Sequence, residues 1–212
     1  LTTDAPAGSI SHTESVRQLS LSILNDWIKS WWNRISVDDQ LMIRQSVLTL
    51  LQSMPAECTG GLRNKIAAIL SNVAERQYPQ HWPSFLDDIG GMWVNSSIVC
   101  QQEVCVLTLR FIIEDCVDAD FSSSLPSLRR QDILSGLRTG LVPLLRTTYG
   151  CLQQCAVSTT TSGVTALQMQ EATRLGNATL SLVGAFALYA KSSELDSNFS
   201  TLVTQLLSVP FL

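Results

Sequence analysis

The sequence predicts an all-α fold built from consecutive antiparallel helix pairs. Three observations lead there. Apolar residues recur at helical spacing along most of the chain, and no stretch sustains the alternation of a strand. Of 212 residues, 45% are hydrophobic and only 15% are charged, which suits helices buried on more than one face. The hexapeptide Tyr78-Pro79-Gln80-His81-Trp82-Pro83 sets two prolines and two aromatic rings between two apolar-periodic segments. Proline lacks an N–H and disfavours helix in the residue before it, so Pro79 stops one helix near Tyr78. Pro83 suits the first position of the next helix. The rings of Tyr78 and Trp82 are expected to pack this corner down.

The elements follow in order. Residues 1–13, mostly small and polar, are expected to form a flexible lead-in to a repeat region over 14–212. The first helix is predicted from Glu14 to Trp31, with Val16, Leu19, Ile23, Trp27 and Trp31 on one face and Leu24 and Ile28 widening it. Ser36 caps the second, about Val37 to Ser53, and Asp38 and Asp39 sit in its first turn where the helix dipole favours them; Leu41, Val47, Leu48 and Leu51 are its core candidates. The third, Leu62 to about Gln77, buries Leu62, Ile66, Ile69, Leu70 and Val73. The fourth, Pro83 to about Trp93, carries Phe85, Leu86, Ile89 and Trp93 and is weakened at its end by Gly90-Gly91.

The fifth, Ser97 to Val117, is apolar over a wide arc and should lie between neighbours. The sixth starts near Pro126, reaches at least Gln154 and is expected to kink at Pro143. A Ser/Thr-rich run, about 155–164, reads as a mobile loop. The seventh spans about Thr165 to Lys191, with Leu175, Leu182, Phe186 and Tyr189 inward. The eighth, about Glu194 to Ser208, buries Phe199, Leu202, Val203 and Leu206. These group as four pairs, about 14–54, 62–93, 97–154 and 165–208, of unequal length and without strict period. That is the pattern of degenerate HEAT-type repeats, and the expected object is a right-handed α-α superhelix segment. A plain helical bundle is the alternative.

Several function classes lose support. There is no Gly-rich phosphate loop, no G-x-S-x-G and no H-E-x-x-H. The neighbours Asp38-Asp39 and Asp87-Asp88 diverge around a helix and make no acid/base dyad. His81 reads as a packed turn residue rather than a base. The expectation is a binding scaffold, not an enzyme, with no cofactor. Lys plus Arg number 14 against 18 Asp plus Glu, a net charge of -4; Arg129, Arg130, Arg138 and Arg146 spread around their helix instead of forming the stripe that nucleic acid requires. No apolar run is long enough to cross a membrane.

Cys58, Cys100, Cys105, Cys116, Cys151 and Cys155 contain no C-x-x-C, and with two histidines no zinc cluster assembles in sequence. Cys151 and Cys155 lie one helical turn apart and could hold a metal in principle; free thiols are the favoured reading for all six, in a reducing compartment. The sequons at Asn95, Asn177 and Asn198 read as chance matches. The chain opens on Leu1 rather than Met, and an excised or processed piece of something longer is expected.

The corner carries a resemblance. Tyr78-Pro-Gln-His-Trp-Pro83 followed by Ser84-Phe85-Leu86 is similar to the W-P-x-x-W-P-x-φ-φ signature (φ apolar) of exportins, in the importin-β (karyopherin-β) superfamily. Asn72-Val-Ala-Glu-Arg76 resembles the segment ahead of that signature. Val16-Arg17, Leu21, Ile23-Leu24 and Trp32-Asn33-x-Ile35-Ser36 resemble the second repeat of the branch that carries double-stranded RNA. The similarity covers Val16 to Gly91, and Tyr78 departs from the family's Trp while keeping an aromatic plug.

The resemblance implies a solenoid that shuttles between nucleus and cytoplasm past nucleoporins. It would bind the small GTPase Ran in its GTP state and wrap protein or structured-RNA cargo. Inner residues of the second helix of each pair would make the contacts, which puts forward Arg44, Gln45, Asp87, Asp88, Arg129 and Arg130; each also reads as an ordinary solvated helix residue. Cargo of another kind, a leucine-rich signal or tRNA, and a repeat scaffold unrelated to transport are the alternatives.

Overall fold

A computed structural model describes residues 12–117 and 125–192. In these, seven α-helices follow one another: α1 His12–Trp31, α2 Val37–Gln52, α3 Gly60–Gln77, α4 Phe85–Asn95, α5 Val99–Val117, α6 Ser127–Thr160 and α7 Ala166–Ser192, with one 3-10 turn, Trp32–Arg34, after α1. No strand occurs among the described residues. The architecture is an all-α, HEAT-like superhelix of packed helix pairs. α1, α3, α5 and α7 lie side by side in one row; α2 leans on α3, α4 on α5, and α6 on α7 and α4. The predicted eighth helix lies outside the described residues.

Local chemistry sets the ends. Ser36 Oγ accepts the Asp39 N–H at 3.1 Å and donates to the Asp39 carboxylate at 2.7 Å, capping α2 as its sequence predicts. Tyr78, extended and followed by a cis bond to Pro79, closes α3 with its N–H on the Ala74 carbonyl at 2.7 Å. α5 is the centre of the fold: Val104, Cys105, Val106, Leu109 and Ile112 are fully buried between α3 and α7. That burial on two sides is what its wide apolar arc calls for.

Four expectations need correction. The apolar stripe of α1 does not face the core: Leu19 and Ile23 are about 60% exposed, with Val16, Trp27 and Trp31 also at the surface. Ile28 is the residue buried against α3, helped by Leu21 and Leu24. Both faces of α1 are apolar, so periodicity alone could not say which one α3 would cover; Leu41 of α2 is exposed for the same reason. The run read as a loop over 155–164 is helical through Thr160, because Thr159, Thr160 and Thr161 return their hydroxyls to carbonyls of the preceding turn. As expected, α6 runs through Pro143, on its exposed side, and past Gln154. Pro83 precedes α4 by a short turn instead of opening it, and His81 is exposed, not packed. No helix of the described residues is long and apolar enough to cross a membrane.

Candidate partner-binding surface

The corner has a dense interior. Tyr78, Trp82 and Phe85 are buried; Phe85 meets Tyr78 at 5.3 Å between ring centroids and Trp82 edge-on at 5.0 Å. The Trp82 indole donates to the Asp88 carboxylate at 2.7 Å, and the Ser84 hydroxyl donates to the same oxygen at 2.9 Å. Two arginines from flanking helices grip the turn. Arg44 of α2 donates to the His81 carbonyl at 2.8 Å and the Gln77 side chain at 3.2 Å, with its guanidinium 5.3 Å from the Trp82 ring. Arg129 of α6 donates to the Glu75 carbonyl at 2.8 Å, to the Tyr78 carbonyl and to Gln80. Charged donors on fixed carbonyls are among the stronger hydrogen bonds a protein makes.

The six candidate contact residues therefore divide. Arg44, Asp88 and Arg129 converge on the corner and spend their polar atoms inside the protein. Gln45 and Asp87 are exposed, and Arg130 is half-buried. The structure brings the first three together and leaves the others apart.

Other arrangements had no sequence signal. Glu103 of α5 joins Arg63 of α3 at 2.8 Å to Arg174 of α7 at 2.6 Å, a strap across three helices of one row with Arg63 and Glu103 buried. These residues are 40 and 71 positions apart, and no motif connects them. A second buried cluster holds Glu75, whose carboxyl is pushed up to about 8 by burial and by a hydrogen bond with Asp115, Arg76 opposing. Gly136 and Gly140 of α6 face the corner side of the fold; a Cβ on Gly136 would stand 2.8 Å from the Tyr78 ring. Glycines one turn apart are a recognisable sign of close approach, overlooked because helix propensity marks them only as weak points.

Two surface features remain. α1 and α2 form an apolar groove with Ile23, Leu24, Trp27, Met42 and Ile43. At the other end of the row a groove of about 800 Å³ opens between α4, α5, α6 and α7. All six cysteines are free, and no group of three or more His, Cys, Asp or Glu capable of holding a metal occurs among the described residues.

A row of packed helix pairs with polar joints and open grooves defines a protein of the helical-repeat class. Comparison with known families is specific. The family described as "Exportin 1-like protein" matches residues 60–212, and the "Importin-beta N-terminal domain" matches residues 8–53. The chain belongs to the exportin family of the importin-β superfamily, and corresponds to its N-terminal region.

It is similar to "Exportin-5" of Mus musculus (26% identical over 142 residues, 66% of this chain). It is also similar to "Exportin-5" of Dictyostelium discoideum (22% over 212 residues, 95% of this chain). The Homo sapiens "Exportin-5" is 25% identical over 142 residues. The chain spans 11% to 18% of the length of these relatives.

Proposed function

We propose that this chain is the N-terminal repeat region of an exportin-5-like nuclear export receptor. It would act by assembly with Ran-GTP and export cargo, while shuttling past nucleoporins between nucleus and cytoplasm. The observation that carries the reading is the exportin match over residues 60–212, which contains the buried aromatic corner. Catalysis has no part in it: Ran-GTP and cargo each favour one curvature of the solenoid, so each strengthens binding of the other, and GTP hydrolysis on Ran releases the cargo. Cargo is protein or structured RNA.

Gln45, Asp87 and Arg130 are the side chains offered to a partner. Arg44, Asp88 and Arg129 act through the corner, by fixing how α2, α4 and α6 are set. With a net charge of -4 the segment itself gives an RNA backbone little attraction, so basic residues elsewhere in the receptor would hold such cargo.

The test is capture of the full-length receptor on GTP-locked and on GDP-bound Ran. Preference for the GTP form supports the reading; equal capture by both, or by neither, refutes it. Nuclease treatment of the complex then separates RNA from protein cargo.

A further inference from the structure

The groove between α4, α5, α6 and α7 has an unusual wall. Cys151 and Cys155 stand one turn apart on α6 and both line it, with Trp93 on the α4 side and Gln102 on α5. Both thiols are free, Cys151 half-buried and Cys155 buried. Thr179 Oγ1 lies 3.6 Å from Cys151 Sγ, but the Thr179 hydroxyl already donates to the Leu175 carbonyl at 2.7 Å.

The neighbouring Cys155 thiol, against the cost of burial and with help from Thr179 and Trp93, lowers the pKa of Cys151 from its ordinary value; Cys151 and burial raise that of Cys155. The pair thus offers two thiols from one turn of α6 to the same groove.

Geometry limits what the pair can form. Residues i and i+4 of a helix hold their Cβ atoms about 5–6 Å apart, whereas a disulfide needs about 3.5–4.5 Å. An internal disulfide would require α6 to distort. A bridge of the form S–X–S is longer by one atom and suits thiols one helical turn apart on the wall of one groove. A zinc-type cation needs about four ligands, and the described residues offer no third His, Cys, Asp or Glu to such a site. A centre satisfied by two sulfurs meets both limits.

We propose that Cys151 and Cys155 form a dithiol site for trivalent arsenicals, opening on the groove between α4, α5, α6 and α7. The reaction balances without an oxidant. An organoarsenic oxide R–As=O takes two thiols, two As–S bonds form, the As=O bond is lost, and the oxygen leaves as water with both thiol protons. Arsenic stays trivalent throughout. The bridge closes one turn of α6 where it lies against α7, whose Gly176 sits with its Cβ position 3.5 Å from the Cys155 Cβ. The groove, about 800 Å³, has room for an aryl substituent beside Trp93 and Val99.

The experiment uses the full chain with phenylarsine oxide, in excess 2-mercaptoethanol to strip single-sulfur adducts. Intact mass and peptide mapping expect one arsenical on the α6 peptide, with two fewer titratable thiols, released by 2,3-dimercaptopropanol. Cys151→Ser and Cys155→Ser each lose retention by at least tenfold, while Cys58→Ser keeps it. Circular dichroism identifies a variant that has unfolded, in which case the alanine replacement is read instead. Retention undiminished in either single variant, an adduct mapped to other cysteines, or none on the folded parent overturns the proposal.

Discussion

Replacing Gly136 by alanine adds one methyl where the Tyr78 ring already lies. The new Cβ would stand 2.8 Å from Cε1 and from the hydroxyl oxygen, and 2.9 Å from Cζ. The ring cannot withdraw: Tyr78 is 3% exposed, backs onto Phe85 at 5.3 Å, and its carbonyl is held by Arg129. Alanine in a helix interior gains about 1 kcal/mol over glycine. Overpacking a fixed neighbour costs about 1–3 kcal/mol, and an immobile ring puts it at the upper end.

The net expectation is a loss of about 2 kcal/mol, or a fall of about 4–8 °C in Tm for a chain of this size. Gly184→Ala in α7 is the control. It is exposed with nothing within 4 Å of a new Cβ, so the propensity gain stands alone and Tm rises about 2–4 °C. Thermal melts followed by circular dichroism at 222 nm read both. If Gly136→Ala holds or raises Tm while the control rises, the account of the corner as closely packed is wrong.

Other perturbations follow from the same contacts. Arg129→Ala removes three donors from the corner and should cost about 2–4 kcal/mol in urea unfolding; Arg129→Lys recovers little, since one ammonium cannot span the same carbonyls. Asp88→Ala leaves the Trp82 indole N–H unpaired inside the corner and should cost about 1–3 kcal/mol by the same assay, with a blue shift of tryptophan emission absent from Asp87→Ala.

Glu103→Ala strands Arg63 without its buried partner and should cost about 3–5 kcal/mol; a loss below 1 kcal/mol would remove the strap from any structural role. Glu75 gives a pH dependence. Its pKa is raised from 4.5 to about 8, so the folded state keeps a proton that the unfolded chain releases. The contribution is whole below pH 4.5 and is lost as pH rises to 8, at about 1.4 kcal/mol per unit. Glu75→Gln should flatten that slope between pH 5 and 8, as seen by urea titration at each pH.

What the sequence disclosed depended on how local the cause was. Helix ends came out because a Ser36 cap and a proline after Tyr78 act within a few residues. α5 came out because burial on two sides leaves an apolar arc that no other cause produces. The face of α1 did not: Ile23 and Ile28 are both apolar, and only the neighbour decides which is covered. The loop over 155–164 failed for a related reason, since threonines with poor helix propensity are tolerated where their hydroxyls bond back to the previous turn. The Arg63–Glu103–Arg174 strap is a product of stacking. Its members carry no mark in sequence until α3, α5 and α7 lie side by side.

Of the residues put forward as partner contacts, Arg44 and Arg129 direct their guanidinium groups to the corner. A charged residue on a predicted inner helix looks the same whether it awaits a partner or grips a carbonyl two helices away.

That grip says something about which substitutions the corner can absorb. Arg44 and Arg129 seize the carbonyls of His81, Glu75 and Tyr78, atoms that every amino acid supplies. The side chains of Gln80 and His81 are exposed; Gln80 accepts one Arg129 bond and donates to Asp132, while the remaining arginine bonds to the turn and to α3 do not use either side chain. Positions 80 and 81 are therefore free to drift, while 78, 79, 82 and 83 are constrained by shape. This is a physical origin for the two unspecified positions in the signature W-P-x-x-W-P. In this chain the packed unit is larger than the hexapeptide: a set of rings, prolines and two remote arginines, one ahead of the turn and one after it.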